Sequence, residues 1–155
     1  LVRVGEVDAP ELDRGGQRRE HDGAGRVHEL DLLVGDLLDA VQRTGGGLHL
    51  LADFHGVDAE RLTDTLAIET LLREAARAAG ATPVGSNFHP FGPGLGVTGV
   101  LLLQESHISI HTWPEHGFAA VDVFMCGSAR PERAVAVIEA ALQPVSVSRQ
   151  EAPRG

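Results

Sequence analysis

Aromatic side chains are scarce in this chain: no tyrosine, one tryptophan and five phenylalanines, 4% of all residues. With 43% hydrophobic residues, the core must therefore be built from Leu, Val, Ala and Ile. The single cysteine, Cys126, excludes an internal disulfide and suits a reducing compartment. Basic residues are in deficit, 13 against 22 acidic ones, for a net charge of −9. That balance argues against nucleic-acid binding, which wants a basic surface. An acidic field tolerates a cationic small molecule or an amine. No apolar run reaches membrane-span length, and no basic start leads into an apolar signal core. The expectation is a cytoplasmic protein with neither membrane nor nucleic-acid partners. A chain of 155 residues is long enough for one domain with a real core.

Two parts are visible along the chain. Residues 1–46 are rich in Gly, Arg and Asp and read as an N-terminal extension, partly disordered. Apolar spacing through Leu30, Leu33, Val34, Leu37, Leu38 and Val41 predicts a helix over 28–42. The chain begins at Leu1 and its only methionine is Met125, so the extension reads as a piece of a longer chain or the result of a misplaced start. Residues 47–150 carry the core domain, and 151–155 read as a tail. Leu48 to Phe54 is a strand. Asp58 is placed to cap a helix running to about Ala79, ended by Gly80. Its apolar stripe holds Leu62, Leu66, Ile68, Leu72, Ala75, Ala76 and Ala79, interrupted by Glu69. Thr82 to Phe88 and Val97 to Leu103 are strands. Pro131 opens a second helix to Leu142, and Val145 to Arg149 is a last strand. Two helices on one face of a mostly antiparallel sheet make an α+β two-layer sandwich. The other face of the sheet then needs a cover.

The densest chemistry lies in Glu105-Ser106-His107-Ile108-Ser109-Ile110-His111-Thr112-Trp113-Pro114-Glu115. A serine hydroxyl can attack the carbonyl before it and turn the amide into an ester. A nearby base, for which His111 is the candidate, can then take the serine α-proton and expel the Glu105 carboxylate. The dehydroalanine left behind hydrolyses to a pyruvoyl group, an electrophilic ketone at a new N-terminus. Cys126 is the candidate proton donor for later chemistry.

Hairpin geometry tests the spacing. His107 to Thr112 alternates, Phe118 to Phe124 is strand-like, and Pro114-Glu115-His116-Gly117 is a turn. With Trp113 opposite Phe118, His111 faces Ala120 and Glu105 faces Cys126. Strand parity puts Ser106 and His111 on opposite faces, so their cooperation requires the backbone near Ser106 to leave the regular strand. His107 and His111 do not make a zinc pair, because on a strand they stand about 13 Å apart. His49, His55 and His89 read as structural or rim histidines, and Trp113 as a core or turn-anchoring aromatic. Without its neighbours, Cys126 would read as a small buried hydrophobe, and Phe91 as plain core packing.

The stretch from about Gly47 to Gly127 resembles the small prokaryotic S-adenosylmethionine decarboxylase proenzymes. The resemblance is carried by Gly47-Leu48-His49-Leu50-Leu51-Ala52-Asp53-Phe54, Phe88-His89-Pro90-Phe91, Gly96-Val97-Thr98-Gly99-Val100, Glu105 to Glu115, and Ala119 to Gly127. It implies scission between Glu105 and Ser106, with Ser106 becoming the pyruvoyl cofactor. It makes His111 the base of self-processing, Cys126 the proton donor of decarboxylation, and Thr98 the counterpart of a processing serine. Phe91 matches a phenylalanine that stacks on adenine, and Glu115 a glutamate that binds the ribose hydroxyls. The substrate amine would form a Schiff base with the pyruvoyl group, and the product would be the aminopropyl donor for spermidine. The resemblance also implies a dimer of cleaved protomers, (αβ)₂, covering the open sheet face with substrate sites near the interface.

Two features depart from the family pattern. Thr98 adds a methyl to the usual serine. The loop Phe91-Gly92-Pro93-Gly94-Leu95-Gly96-Val97-Thr98 is one residue longer and richer in glycine. That loop shapes the substrate pocket, which leaves arginine or ornithine as alternative substrates for the same cofactor. An uncleaved, non-catalytic dimeric binding subunit is the alternative of another class.

Overall fold

The computed structural model describes residues 46–155. The expected helix over 28–42 and the rest of the extension lie outside the described residues. The elements are β1 (Gly47–His55), α1 (Thr65–Ala78), β2 (Pro83–Pro90), β3 (Val97–Leu103), β4 (Ser106–Trp113), β5 (Phe118–Cys126), α2 (Pro131–Leu142) and β6 (Ser146–Arg154). The strands form one sheet in the order β2-β3-β4-β5-β1-β6, every neighbouring pair antiparallel. Both helices pack together and against the same side of the sheet. The expected α+β two-layer sandwich is what forms.

Alternation builds the core. Leu50, Ala52 and Phe54 of β1, Ile108 and Ile110 of β4, and Ala119, Val121, Val123 and Met125 of β5 all turn to the helices and are buried. Ile68, Leu72, Ala75 and Ala76 of α1 and Ala134, Val135, Ile138 and Leu142 of α2 meet them. Each large aliphatic side chain buried this way contributes about 1.5–3 kcal/mol by leaving water. The core is aliphatic apart from Phe54, as the scarcity of aromatics demands.

Three boundaries differ from expectation. The helix predicted from Asp58 is two elements. Asp58 caps only a 3-10 turn, Ala59–Leu62, and Asp64 caps α1 by accepting from the Leu66 and Ala67 amides at 3.0 Å each. The second aspartate restarts the helix, so the two stripes are out of phase, and Leu66 points outward at 73% exposure. Beyond α1, Gly80 is left-handed, and the Gly80 and Ala81 amides bond back to Arg77 and Ala76, closing the helix in a Schellman motif. Strand β2 continues past Phe88 to Pro90. The residues read as a tail from 151 complete β6, pairing Glu151 to Arg154 with Leu50 to Gly47. Pairing with the edge of β1 overrides their polar composition. Across the layers, the Ser86 hydroxyl and the Arg73 guanidinium both bond Glu69 and hold its carboxyl below the ordinary carboxylate range.

Thr112 ties the site-bearing strand down. It is the buried polar residue among the described ones, on the same face as Ile108 and Ile110. Its hydroxyl accepts from the Val97 amide and donates to the Leu62 carbonyl, both at 2.7 Å. Gly96 lies against it so closely that an added Cβ would stand 1.9 Å from the Thr112 carbonyl oxygen. Thr112→Val keeps the shape and removes both bonds. It is expected to lower the unfolding free energy by about 1–3 kcal/mol for each buried group left unpaired, measurable by urea unfolding.

Candidate functional site

Strand β4 carries the candidate residues, and its two ends hold two clefts. At the first end, Leu103 pairs with Ser106, so β3 and β4 are joined by the two-residue turn Gln104-Glu105. Glu105 is left-handed, with φ 65°. The chain thus turns immediately before Ser106, but Ser106 itself stays in β4 with His111, so the turn does not bring the two together. The Ser106 hydroxyl oxygen accepts from the Cys126 amide at 3.1 Å. The expectation that Glu105 faces Cys126 is therefore corrected. The hairpin register holds from Trp113–Phe118 to His107–Phe124, but the turn removes Glu105 from the ladder and Cys126 meets Ser106 instead. Ser106, Cys126, Glu105 and Gln104 line a cleft of about 260 Å³ with Gly80–Thr82 and Gly127–Ala129. Thr82 and Ser128 are polar members of this cleft that sequence reasoning missed. They come from the ends of the two helical connections, and no local pattern marks them.

At the other end, Thr98 pairs with His111 across β3 and β4. The Thr98 hydroxyl and His111 Nδ1 share a hydrogen bond of 2.7 Å. The threonine methyl has not displaced the hydroxyl from the His111 ring. His111 lines a second cleft, also about 260 Å³, with Phe91, Leu95, Gly96, Trp113 and Glu115. Phe91 is 58% exposed and meets His89 edge to face, so it is a rim residue and not core. Trp113 is 38% exposed and stacks on Phe118, which stacks in turn on His55.

The two ends do not meet within one chain. Ser106 and His111 are five residues apart on a straight strand, roughly 17 Å, and of opposite parity. The open face of the sheet carries His107, Ser109, His111 and Trp113 of β4 beside Phe118, Asp122 and Phe124 of β5. His49 packs against both His107 and Phe124, which also meet each other, and its Nε2 is buried without a partner. Among the described residues, no group of three or more His, Cys, Asp or Glu is arranged to hold a metal. No described helix is long and apolar enough to cross a membrane.

Comparison with known proteins identifies the family. The family model of S-adenosylmethionine decarboxylase matches residues 48–155. The chain belongs to the S-adenosylmethionine decarboxylase family. It is 46% identical over 110 residues to the S-adenosylmethionine decarboxylase proenzyme of a Sulfurihydrogenibium species, covering 70% of this chain and 82% of that one. To the proenzyme of the same name from Aquifex aeolicus it is 47% identical over 110 residues, covering 70% and 81%. The crystal structure of the adenosylmethionine decarboxylase from Aquifex aeolicus superposes with a TM-score of 0.65 at 46% identity, over 70% of this chain and 90% of that one. The matched region spans the six strands and two helices, and both clefts fall inside it.

Proposed function

We propose that this family member is a self-processing decarboxylase of S-adenosylmethionine whose pyruvoyl cofactor forms from Ser106. The observation that carries it is the Ser106 hydroxyl held by the Cys126 amide directly after a left-handed Glu105. The proenzyme names of the relatives support the same reading.

The residues at this end suit formation of the group. Ser106 attacks the Glu105 carbonyl carbon, the Glu105–Ser106 amide becomes an ester, and the hydroxyl proton ends on the Ser106 nitrogen. A base then takes the Ser106 α-proton, Glu105 leaves as a carboxylate, and water hydrolyses the resulting dehydroalanine to the pyruvoyl group with loss of the Ser106 nitrogen as ammonia. Thr98 orients His111 as that base through their shared hydrogen bond. Once formed, the pyruvoyl group supplies an electrophilic ketone that accepts a substrate amine and the electrons released with carbon dioxide. Cys126 returns a proton to the substrate α-carbon. Phe91 and Glu115 hold the nucleoside, through ring stacking and ribose hydrogen bonds. The product serves as the aminopropyl donor for spermidine, in the cytoplasm.

Because about 17 Å of strand separates His111 from Ser106 in one chain, the base acting on Ser106 belongs to a second copy. Two open sheet faces pair, and Ser106 with Cys126 of one protomer works with Thr98 and His111 of the other. The same pairing covers the half-apolar open face of the sandwich and gives the (αβ)₂ dimer.

Co-expression tests the reading and the dimer together. Ser106→Ala and His111→Ala chains, each uncleaved alone, are expected to restore cleavage when mixed, and only of the chain that keeps Ser106. No cleavage in the mixture would overturn the shared site. Carbon dioxide release from S-adenosylmethionine, blocked by an adenosyl analogue, is the expected activity of the cleaved wild type. Release from arginine or ornithine with no inhibition by the analogue would transfer the reaction to those substrates. A wild-type chain that stays at full mass would make it an uncleaved binding subunit.

A further inference from the structure

Only two non-glycine residues among the described ones have a positive φ, Glu105 and Gln143. Gln143 is the C-cap of α2, where a left-handed residue commonly ends a helix. Glu105 has no such excuse. Two-residue hairpin turns favour Gly, Asn or Asp, with positive φ at the first central residue or at both. Here the centre is Gln104-Glu105, and positive φ is confined to the second residue. That is the pattern of a type II turn, whose glycine position is filled by glutamate and whose twist opposes that of the strands.

The turn is also clamped. On one side the Gln104 amide donates to the Thr82 carbonyl at 2.9 Å. On the other the Cys126 amide donates to the Ser106 hydroxyl at 3.1 Å. Glu105 thus lies between two hydrogen-bonded anchors, one before it and one after it in the chain.

We infer that the clamped left-handed conformation of Glu105 is a strain device that drives cleavage, with Glu105 acting as a positioning residue through its backbone and not its carboxylate. This rests on the self-processing reading above. In the first step the Ser106 Oγ–carbonyl bond forms and the carbonyl–nitrogen bond breaks. The path from the Glu105 carbonyl carbon to the Ser106 Cα then runs through Oγ and Cβ in place of one nitrogen. One added atom loosens the closed turn, and Glu105 leaves the left-handed region. Its strain is present in the precursor and lost in the ester, so it favours the ester. Scission then makes Glu105 a chain end and prevents return.

Glycine adopts this conformation without cost, and asparagine at reduced cost. The test follows cleavage by intact mass in Glu105→Gly, Glu105→Asn and Glu105→Gln chains, and melting of each in the uncleavable Ser106→Ala background. Glu105→Gly is expected to melt several degrees higher than its Ser106→Ala parent. With Ser106 present it is expected to cleave about tenfold more slowly, the factor that about 1.4 kcal/mol of lost strain converts to. Asparagine is expected to fall between, and glutamine to match the wild type in both measurements. Glycine cleaving as fast as the wild type would overturn the inference. Glutamine slowing cleavage as much as glycine would overturn it too, because the carboxylate would then be the cause. A wild-type chain that never cleaves removes the self-processing reading itself, which distinguishes the two failures.

Discussion

Ser106→Ala is expected to leave the 155-residue chain intact and without decarboxylase activity. The methyl group has no oxygen to attack the Glu105 carbonyl, so neither ester nor pyruvoyl group can form. The wild type is expected to give chains of 105 and 50 residues. The shorter one is expected to resist Edman sequencing, since a pyruvoyl terminus has no amine. Intact mass reads both results, and cleavage of the alanine variant at the same bond would remove Ser106 as the nucleophile. His111→Ala is expected to separate the steps, with the ester formed and the α-proton left without its proposed base. Hydroxylamine is expected to split that ester at Ser106, and a chain that resists it would show that His111 is needed before the ester.

Cys126→Ala is expected to be cleaved at least in part yet to lose turnover by about 100-fold or more, within the range of a lost general acid. The division follows from which part of Cys126 meets Ser106. The contact to the Ser106 hydroxyl comes from the backbone amide, which alanine keeps. In the proposed mechanism the thiol acts only when a proton returns to the substrate carbon. Single-turnover carbon dioxide release compared with mass analysis distinguishes the two roles. Turnover at the wild-type rate would withdraw Cys126 as proton donor, and complete loss of cleavage would assign the thiol to processing as well.

Local pattern decided most of the sandwich. Alternation from Ile108 to Thr112 and from Ala119 to Met125 names the buried face of the hairpin, and the turn at Pro114–Gly117 sets its register. The same logic failed where two local signals competed. Asp58 and Asp64 both offer N-caps, and only the second starts a full helix, which turned Leu66 outward. The residues from Glu151 to Arg154 lack any strand pattern, yet they pair because β1 leaves an edge for them. Thr112 entered the sequence reading only as the end of an alternating run, and its two hydrogen-bond partners, 15 and 50 residues away, carry no local signal.

The sequence by itself named the candidate reacting groups. Glu105, Ser106, His111 and Cys126, their order, and the opposite parity of Ser106 and His111 follow from residue identity and the two-residue period of a strand. Tertiary structure decided which groups meet. It brought the Cys126 amide to Ser106, Thr98 to His111, and Phe91 and Glu115 into the His111 cleft, through pairings between separate strands and loops. It also put Glu105 in a left-handed turn held by Thr82 and Cys126. A glutamate has no intrinsic reason to adopt that conformation. Only closure of the β3–β4 hairpin, with both flanks anchored elsewhere in the sheet, imposes it.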